Sequence, residues 1–274
     1  MPTDRSATID DLRRRFAELH ESGHFVIPNP WDLGSARLLE ALGFQALATT
    51  SSGLAAALGK LDQSLDFEEL EAHVTSLVAA VGVPVSVDAE NGYGSDPAAV
   101  AENVGRLAQA GAAGVSIEDY DPDSGLYSPS EAAERVAAAA EVCRSTGMVL
   151  TARAENHLYG VDDLDDTIAR LDAYREAGAD VVYAPRLSRI DDIRRVVDEV
   201  GAPLNVLLTP DCPPIGEMAA VGVRRFSTGG ALAFASYGSM VEAAQELLAG
   251  GERSYHSRVL APDVRQRAFV GRSV

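Results

Sequence analysis

Carboxylates recur where the apolar runs of this chain stop. Val85-Ser86-Val87 leads into Asp88-Ala89-Glu90 and then the turn Asn91-Gly92-Tyr93-Gly94. Gly114-Val115-Ser116-Ile117 leads into Glu118-Asp119, and Met148-Val149-Leu150-Thr151-Ala152 leads into Arg153-Ala154-Glu155-Asn156-His157. Asp62 follows Ser52-Gly53-Leu54 by a few residues. Carboxylates gathered at one point repel one another and cannot all ionise without a cation. An oxygen-rich donor set with no His or Cys cluster suits Mg²⁺ or Mn²⁺ rather than zinc. Mg²⁺ keeps several of its waters, so Asp88 is expected to bind it directly, and Asp62, Glu90 and Glu118 through water. The planar fork of Arg153 matches the two oxygens of a substrate carboxylate. Ser52-Gly53-Leu54, read as a turn, offers backbone N–H groups to a carboxylate or oxyanion. Asn205, in the apolar run 204–208, adds a polar group for substrate.

These groups act together only if the fold gathers the ends of several runs. Strand-like runs fall at 25–28, 46–50, 85–88, 114–119, 148–153, 180–183, 204–208 and 224–227. Helical spacing falls at 6–21, 35–41, 66–81, 97–110, 130–145, 162–177, 190–200, 215–221 and 231–248, with 120–127 read as a polar loop. The phrases Leu42-Gly43-Phe44, Ala110-Gly111-Ala112, Ala177-Gly178-Ala179 and Val221-Gly222-Val223 repeat a glycine-terminated helix running into a strand. Eight β-then-α units predict an α/β fold, a (β/α)8 TIM-type barrel with an extra N-terminal helix and a C-terminal helical tail. With no linker or low-complexity segment, residues 1–274 read as one domain. Chemistry in such barrels sits at the C-terminal strand ends, where all the residues above fall. The opposite ends, such as Gly82-Val83-Pro84 and Gly201-Ala202-Pro203, carry almost none.

Composition narrows the partners. Of 274 residues, 41 are acidic and 23 are Lys or Arg, a net charge of −18, which repels nucleic acid and anionic membranes. An anionic substrate then needs a local cation, a metal or an arginine. Cys143 and Cys212 lie far apart and outside any metal-ligand spacing, which fits a reducing cytoplasm. No apolar h-region opens the chain, and no apolar run is long enough to span a bilayer.

Taken together, Ser52-Gly53-Leu54, Leu58-Gly59-x-x-Asp62, Asp88-x-Glu90-x-Gly92-Tyr93-Gly94, Glu118-Asp119 and Ala152-Arg153-x-Glu155 resemble the isocitrate lyase/phosphoenolpyruvate mutase superfamily. Asn29-Pro30-Trp31-Asp32-x-x-Ser35-Ala36-Arg37 and Ala173-Tyr174-Arg175-Glu176-Ala177-Gly178-Ala179-Asp180 are similar to it as well, over roughly residues 20–250. The resemblance implies a metal shell of Asp62, Asp88, Glu90 and Glu118, with Ser52, Gly53, Leu54 and Arg153 holding substrate. It implies cleavage or rearrangement of a C–C or P–C bond beside a 2-oxo or 2-hydroxy acid, with Mg²⁺ stabilising an enolate. It also implies dimers or tetramers that exchange C-terminal helices. The tail 251–274, with its scattered apolar residues, would pack on a partner subunit or on its own barrel.

The sequence departs from that superfamily after Glu118. The lyases carry Lys-Lys/Arg-Cys-Gly-His there and the mutases a Lys and Asn, whereas this chain reads Tyr120-Asp121-Pro122-Asp123-Ser124-Gly125-Leu126-Tyr127. The enolate-stabilising half of the site is retained, and the acid/base must come from Tyr127, Asp121, Glu155, His157 or Cys212. The expected activity is a Mg²⁺-dependent C–C lyase, decarboxylase or hydrolase acting on a small 2-oxo or 2-hydroxy carboxylate. The alternatives are P–C chemistry on a phosphonate and a catalytically silent 2-oxo-acid binder.

Plainer roles compete for some of these residues. Asp88 and Glu90 could cap the next turn, and Arg153 could be an ion-pair partner of Glu118 or Glu155. His157 reads best as a loop hydrogen-bonder, Cys143 as core, Cys212 as an exposed thiol, and the acids of 162–166 as a helix N-terminus.

Overall fold

A computed structural model of the protein describes residues 8–251 and 253–269. The elements run α1 (Ile9–Glu21), β1 (Phe25–Ile27), α2 (Leu33–Ala41), β2 (Leu47–Ala48), α3 (Ser51–Ala57), α4 (Phe67–Ala80), β3 (Val85–Asp88), α5 (Pro97–Gln109) and β4 (Gly114–Glu118). A small hairpin, β5 (Tyr120–Asp121) and β6 (Gly125–Leu126), precedes α6 (Pro129–Thr146) and β7 (Val149–Arg153). Then come α7 (Leu164–Glu176), β8 (Val181–Tyr183), α8 (Ile190–Val200), β9 (Leu204–Leu207), α9 (Ile215–Ala220), β10 (Arg225–Ser227) and α10 (Ala231–Leu248). A 3₁₀ turn (Ser254–Arg258) and α11 (Pro262–Phe269) follow.

Eight strands pair in parallel in the order β1-β10-β9-β8-β7-β4-β3-β2. The two ends of that row meet through Ala48, whose N–H donates to Pro28 O at 3.1 Å, so the sheet is a nearly closed (β/α)8 barrel. Local signals start the helices. Thr8 with Asp11, Asp32 with Ser35, Asp66 with Glu69, and Ser128 with Glu131 form reciprocal capping boxes on α1, α2, α4 and α6. The repeated glycine turn also has a steric reason. Gly111, Gly178 and Gly222 take φ of +95°, +108° and +108°, and a Cβ on them would lie 2.8 Å from Val78, 2.9 Å from Ala140 and 2.6 Å from Val197. Only glycine combines that backbone with so close a neighbouring helix.

Strand alternation divides the side chains. Val87, Ile117, Leu150, Val206 and Phe226 point outward into the layer under the helices. Phe16 of α1 closes the bottom of the barrel against Phe25, Ile27, Val149 and Val181. A Cβ on Gly114 would lie 2.6 Å from the Phe16 ring, so the glycine makes room for this plug.

Three sequence expectations change. The strand expected at 46–50 shortens to β2, because Thr50 turns to cap α3, its side chain accepting from Gly53 N–H. Ser52-Gly53-Leu54 is therefore the first turn of a helix, not a free turn. The stretch 120–127 folds as the β5–β6 hairpin, since Asp121 Oδ1 accepts from the N–H groups of Asp123 and Ser124, and Gly125 takes φ +85°. The expected start of α1 at Ser6 and Ala7 lies outside the described residues, as do Glu252 and residues 270–274 of the tail. Among the described residues no helix is long and apolar enough to cross a membrane.

Candidate active site

β4 and β7 pair so that Glu118 stands beside Arg153, and β3 brings Asp88 beside Ser116. The guanidinium of Arg153 takes one carboxylate on each nitrogen. Nη1 meets Asp88 Oδ1 at 2.7 Å, Nη2 meets Glu118 Oε2 at 3.1 Å, and Nε meets Glu155 Oε1 at 2.7 Å. The Tyr183 ring lies under it, 5.2 Å from the guanidinium carbon. The other oxygen of Asp88 accepts from Ser51 N–H at 2.9 Å and Ser51 Oγ at 3.0 Å, and Asp88 N–H donates to Thr49 Oγ1 at 2.8 Å. Glu118 also accepts from Gln63 Nε2 at 2.7 Å, a contact for which Gln63 adopts φ +61°.

Glu118 and Asp119 are adjacent yet serve opposite sides of the sheet. Asp119 is wholly scaffold: it accepts from Glu155 N–H at 2.8 Å, Arg170 Nη1 at 2.9 Å and the Tyr174 hydroxyl at 2.6 Å. It thereby fixes the backbone that carries Glu155 and anchors α7.

Asp88, Glu118, Arg153, Asp62, Gln63, Ser51, Ser52, Tyr159, Tyr183 and Asn205 line one cavity of about 180 Å³ that runs down the barrel axis to Arg225. Electrostatics there are dominated by excess acid. Burial raises the pKa of Glu118 even though Arg153 opposes it, and burial likewise raises Glu155. Burial, then Asp88, raises Asp62, which turns its carboxyl inward from an exposed loop. Burial, then Asp88 and Asp62, pushes Glu90 up to about 8. On Arg153, burial alone would lower the pKa, but Glu155, Glu118 and Asp88 outweigh it and keep the group charged.

This donor chemistry fits a hard divalent cation. The ligand atoms are oxygens, Glu90 Oε1 and Glu155 Oε2 are buried without a hydrogen-bond partner, and burial holds the Glu90 and Glu118 pKa values up, a cost that a nearby cation would relieve. Among the described residues no group of three or more acidic, His or Cys side chains is placed to hold a metal ion by itself. A cation that retains waters and binds through one or two carboxylates needs none.

The sequence-derived residues separate into groups. Asp62, Asp88, Glu118, Arg153, Ser52 and Asn205 reach the cavity. Glu155 is fully buried behind Arg153, and Glu90 lines a neighbouring cleft with Asn91, Tyr93 and Asp121. Tyr127 stands apart from the cavity, its hydroxyl 3.3 Å from both Asn91 Nδ2 and Asp121 Oδ2 and its ring under Arg135. Gly53 N–H donates to Thr50 Oγ1 and Leu54 N–H to Thr50 O, so both are committed to α3, and Leu54 packs in the core. His157 hydrogen-bonds Asp162 and Thr167, as a loop residue would. Cys143 is buried, and burial raises its thiol to about 12. Cys212 is half-buried rather than exposed, its Sγ 3.3 Å from Leu207 O, because the loop after β9 folds back on the strand.

Sequence reasoning missed Ser51, Gln63, Tyr159, Tyr183 and Arg225. Tyr183 and Arg225 were findable, since alternation from Val181 to Tyr183 and from Arg225 to Ser227 points these residues inward. Tyr159 stacks on Tyr120 with centroids 3.4 Å apart, a contact between the loop after β7 and the β5–β6 hairpin that nothing local encodes.

The fold and the site define a (β/α)8 barrel with an acidic, oxygen-rich centre at the C-terminal ends of its strands. The chain belongs to the phosphoenolpyruvate phosphomutase family, whose sequence profile matches residues 16–248, and so to the isocitrate lyase/phosphoenolpyruvate mutase superfamily. It is 45% identical to a Burkholderia cenocepacia J2315 protein described as a candidate lyase or mutase. That crystal structure superposes with a TM-score of 0.91 over 96% of this chain and 97% of the other. It is 33% identical over 216 residues to an uncharacterized Mycobacterium tuberculosis protein, covering 78% of this chain and 81% of that one. An oxaloacetate decarboxylase of Paraburkholderia xenovorans is 31% identical over 230 residues, 79% of this chain and 76% of that one.

Proposed function

We propose that the protein is a Mg²⁺- or Mn²⁺-dependent carbon–carbon lyase, decarboxylase or hydrolase acting on a small 2-oxo or 2-hydroxy carboxylate. The observation that carries this reading is the setting of Asp88. It sits at the end of β3 with one oxygen on Arg153 and the other on Ser51, in a cavity that also holds Asp62 and Glu118. Asp88 would bind the cation directly, with Asp62, Glu90 and Glu118 acting through its waters. The bound ion would supply the positive charge that an enolate needs when the bond breaks. Arg153 would orient Asp88 and Glu118 and offset part of their charge. Ser52 and Asn205 present polar groups to the substrate. The decarboxylase relative supports bond cleavage beside an oxo group.

The surface supports self-association. On α10 only Ala233 is buried, while Phe234, Met240, Val241, Leu247 and Leu248 are exposed. A homodimer or homotetramer would cover them, and α11 already rests on α2 of its own chain. The free, core-packed Cys143 suits the reducing cytoplasm.

The test is a panel of 2-oxo and 2-hydroxy acids assayed for pyruvate, glyoxylate, oxalate or CO₂ release with and without Mg²⁺. Asp88→Ala should lower metal-dependent turnover by about 10³-fold or more. Undiminished turnover in that variant would overturn the assignment.

A further inference from the structure

The three carboxylates on Arg153 leave a question about charge. The cavity must attract an anion, yet every nitrogen of Arg153 is already matched to an acid. The other guanidinium that lines the cavity is Arg225, at its floor. Arg225 is 5% exposed and carries no ion pair among the described residues. Its Nε donates to Asn205 Oδ1 at 2.9 Å and its Nη2 to Thr151 Oγ1 at 2.9 Å. Its Nη1 lies 3.5 Å from His20 Nε2. All three partners are uncharged. His20 is neutral, because burial and then Arg225 push its pKa down to about 3, and its Nδ1 is occupied by Phe16 O at 2.8 Å. A guanidinium has five N–H donors, so two remain without a partner. Burying such a cation without a counter-charge is costly. Burial lowers the pKa of Arg225 to about 10, which still leaves it charged at neutral pH.

The surroundings are shaped for a ligand rather than for packing. Barrel interiors at this depth are filled by branched apolar side chains. Here Ser86, Ser116, Asn205 and Arg225 line the space beneath the acidic centre together with the apolar Ile27, and the buried Thr151 accepts from Arg225. Thr151 lies two residues before Arg153 on β7, about 7 Å back along a strand that tilts against the barrel axis, so the floor lies about 5 Å below the β7 end that carries Arg153. That separation is comparable to the reach of a four- or five-carbon diacid.

We propose that Arg225, with Thr151 and Asn205 holding its fork, forms a second anion subsite that receives the distal carboxylate of the substrate, so that the substrate is a small dicarboxylate. This deepens the function proposed above and rests on it. One end of the substrate is held at the acidic centre, and the other descends the barrel axis to a charge that no acid among the described residues neutralises.

The test uses the full chain and calorimetric titration of oxalate, malate and 2-hydroxybutyrate, each with Mg²⁺ and again in EDTA. Malate and 2-hydroxybutyrate share the 2-hydroxy-carboxylate end and differ only in a distal carboxylate against a methyl group. Malate should bind about tenfold more tightly or better. In Arg225→Met that preference should fall to within about twofold, while the affinity for oxalate, which is too short to reach the floor, changes by less than about threefold. Arg225→Lys, which keeps the charge without the fork, should retain an intermediate preference and serves if the Met variant does not fold. Equal binding of malate and 2-hydroxybutyrate by the unaltered protein overturns the proposal, and so does a full preference in either variant. Equal binding together with chloride-dependent stabilisation that either variant loses would assign the subsite to a free small anion, and this too overturns it. Failure of oxalate to bind with Mg²⁺ would count against the metal centre alone, since the malate preference is also read without metal.

Discussion

Arg153 and Arg225 enter the same cavity from two depths of one barrel, and the protein treats them in opposite ways. Arg153 is surrounded by Asp88, Glu118 and Glu155, with more carboxylate nearby than it can neutralise. Arg225 is surrounded by an amide, a hydroxyl and a neutral imidazole. The upper level therefore holds surplus negative charge and the lower level surplus positive charge. A cation is suited to the first and an anionic group to the second. A buried ion tells little until its whole surroundings are counted, because desolvation is offset only by what actually faces it.

The sharpest way to break this contrast is to remove the upper arginine. Arg153→Met strands the buried Glu118 and Glu155 and the half-buried Asp88, and should destabilise the fold by about 3–5 kcal/mol, read from urea unfolding of metal-free protein. A smaller but pH-dependent effect is expected at Glu90, which Arg153 compensates only weakly. Its pKa is raised to about 8 in the folded protein from an ordinary 4.5. The native state therefore holds a proton that the unfolded chain releases. That stabilisation is complete below about pH 4.5 and is lost as pH rises through about 8, on the order of a few kcal/mol. Glu90→Gln should flatten this part of the profile, measured as Tm against pH with EDTA present, and an unchanged slope would show that Glu90 is not the group responsible. Arg225→Met should cost less than Arg153→Met, no more than about 1–3 kcal/mol, because it leaves Asn205 Oδ1 and Thr151 Oγ1 without their donor but also removes a buried cation that has no counter-charge. A larger loss than at Arg153 would invert the comparison. The surface supplies the lower bound. Arg175 pairs with Asp172 at 2.7 Å, with both side chains well exposed, so Arg175→Ala should leave the thermal unfolding midpoint almost unchanged.

Much of the barrel was legible locally. α8 and α10 fall where helical spacing places them, and the strands end in Asp88, Glu118 and Arg153 because period-2 alternation and the following turns leave little choice. The acidic centre was legible for the same reason, since its acids sit at the ends of those strands. Legibility failed where a side chain took over a backbone role. Thr50 caps α3 and turns Ser52-Gly53-Leu54 into helix, and Asp121 nucleates the hairpin in place of a loop. It failed again for Gln63, whose partner Glu118 is 55 residues away and whose positive φ has no glycine to announce it.

The sequence by itself determined the alternation of strands and helices, the glycine-closed helix ends and the crowding of acids at one rim, because each depends on neighbours along the chain. Only the tertiary structure decided which charges meet. Glu118 reaches Arg153 through the β4–β7 register, Asp88 reaches it across the barrel interior, and Arg225 is left with neutral partners alone. The physical reason is that electrostatic pairing depends on through-space distance and burial, and closure of the barrel sets both.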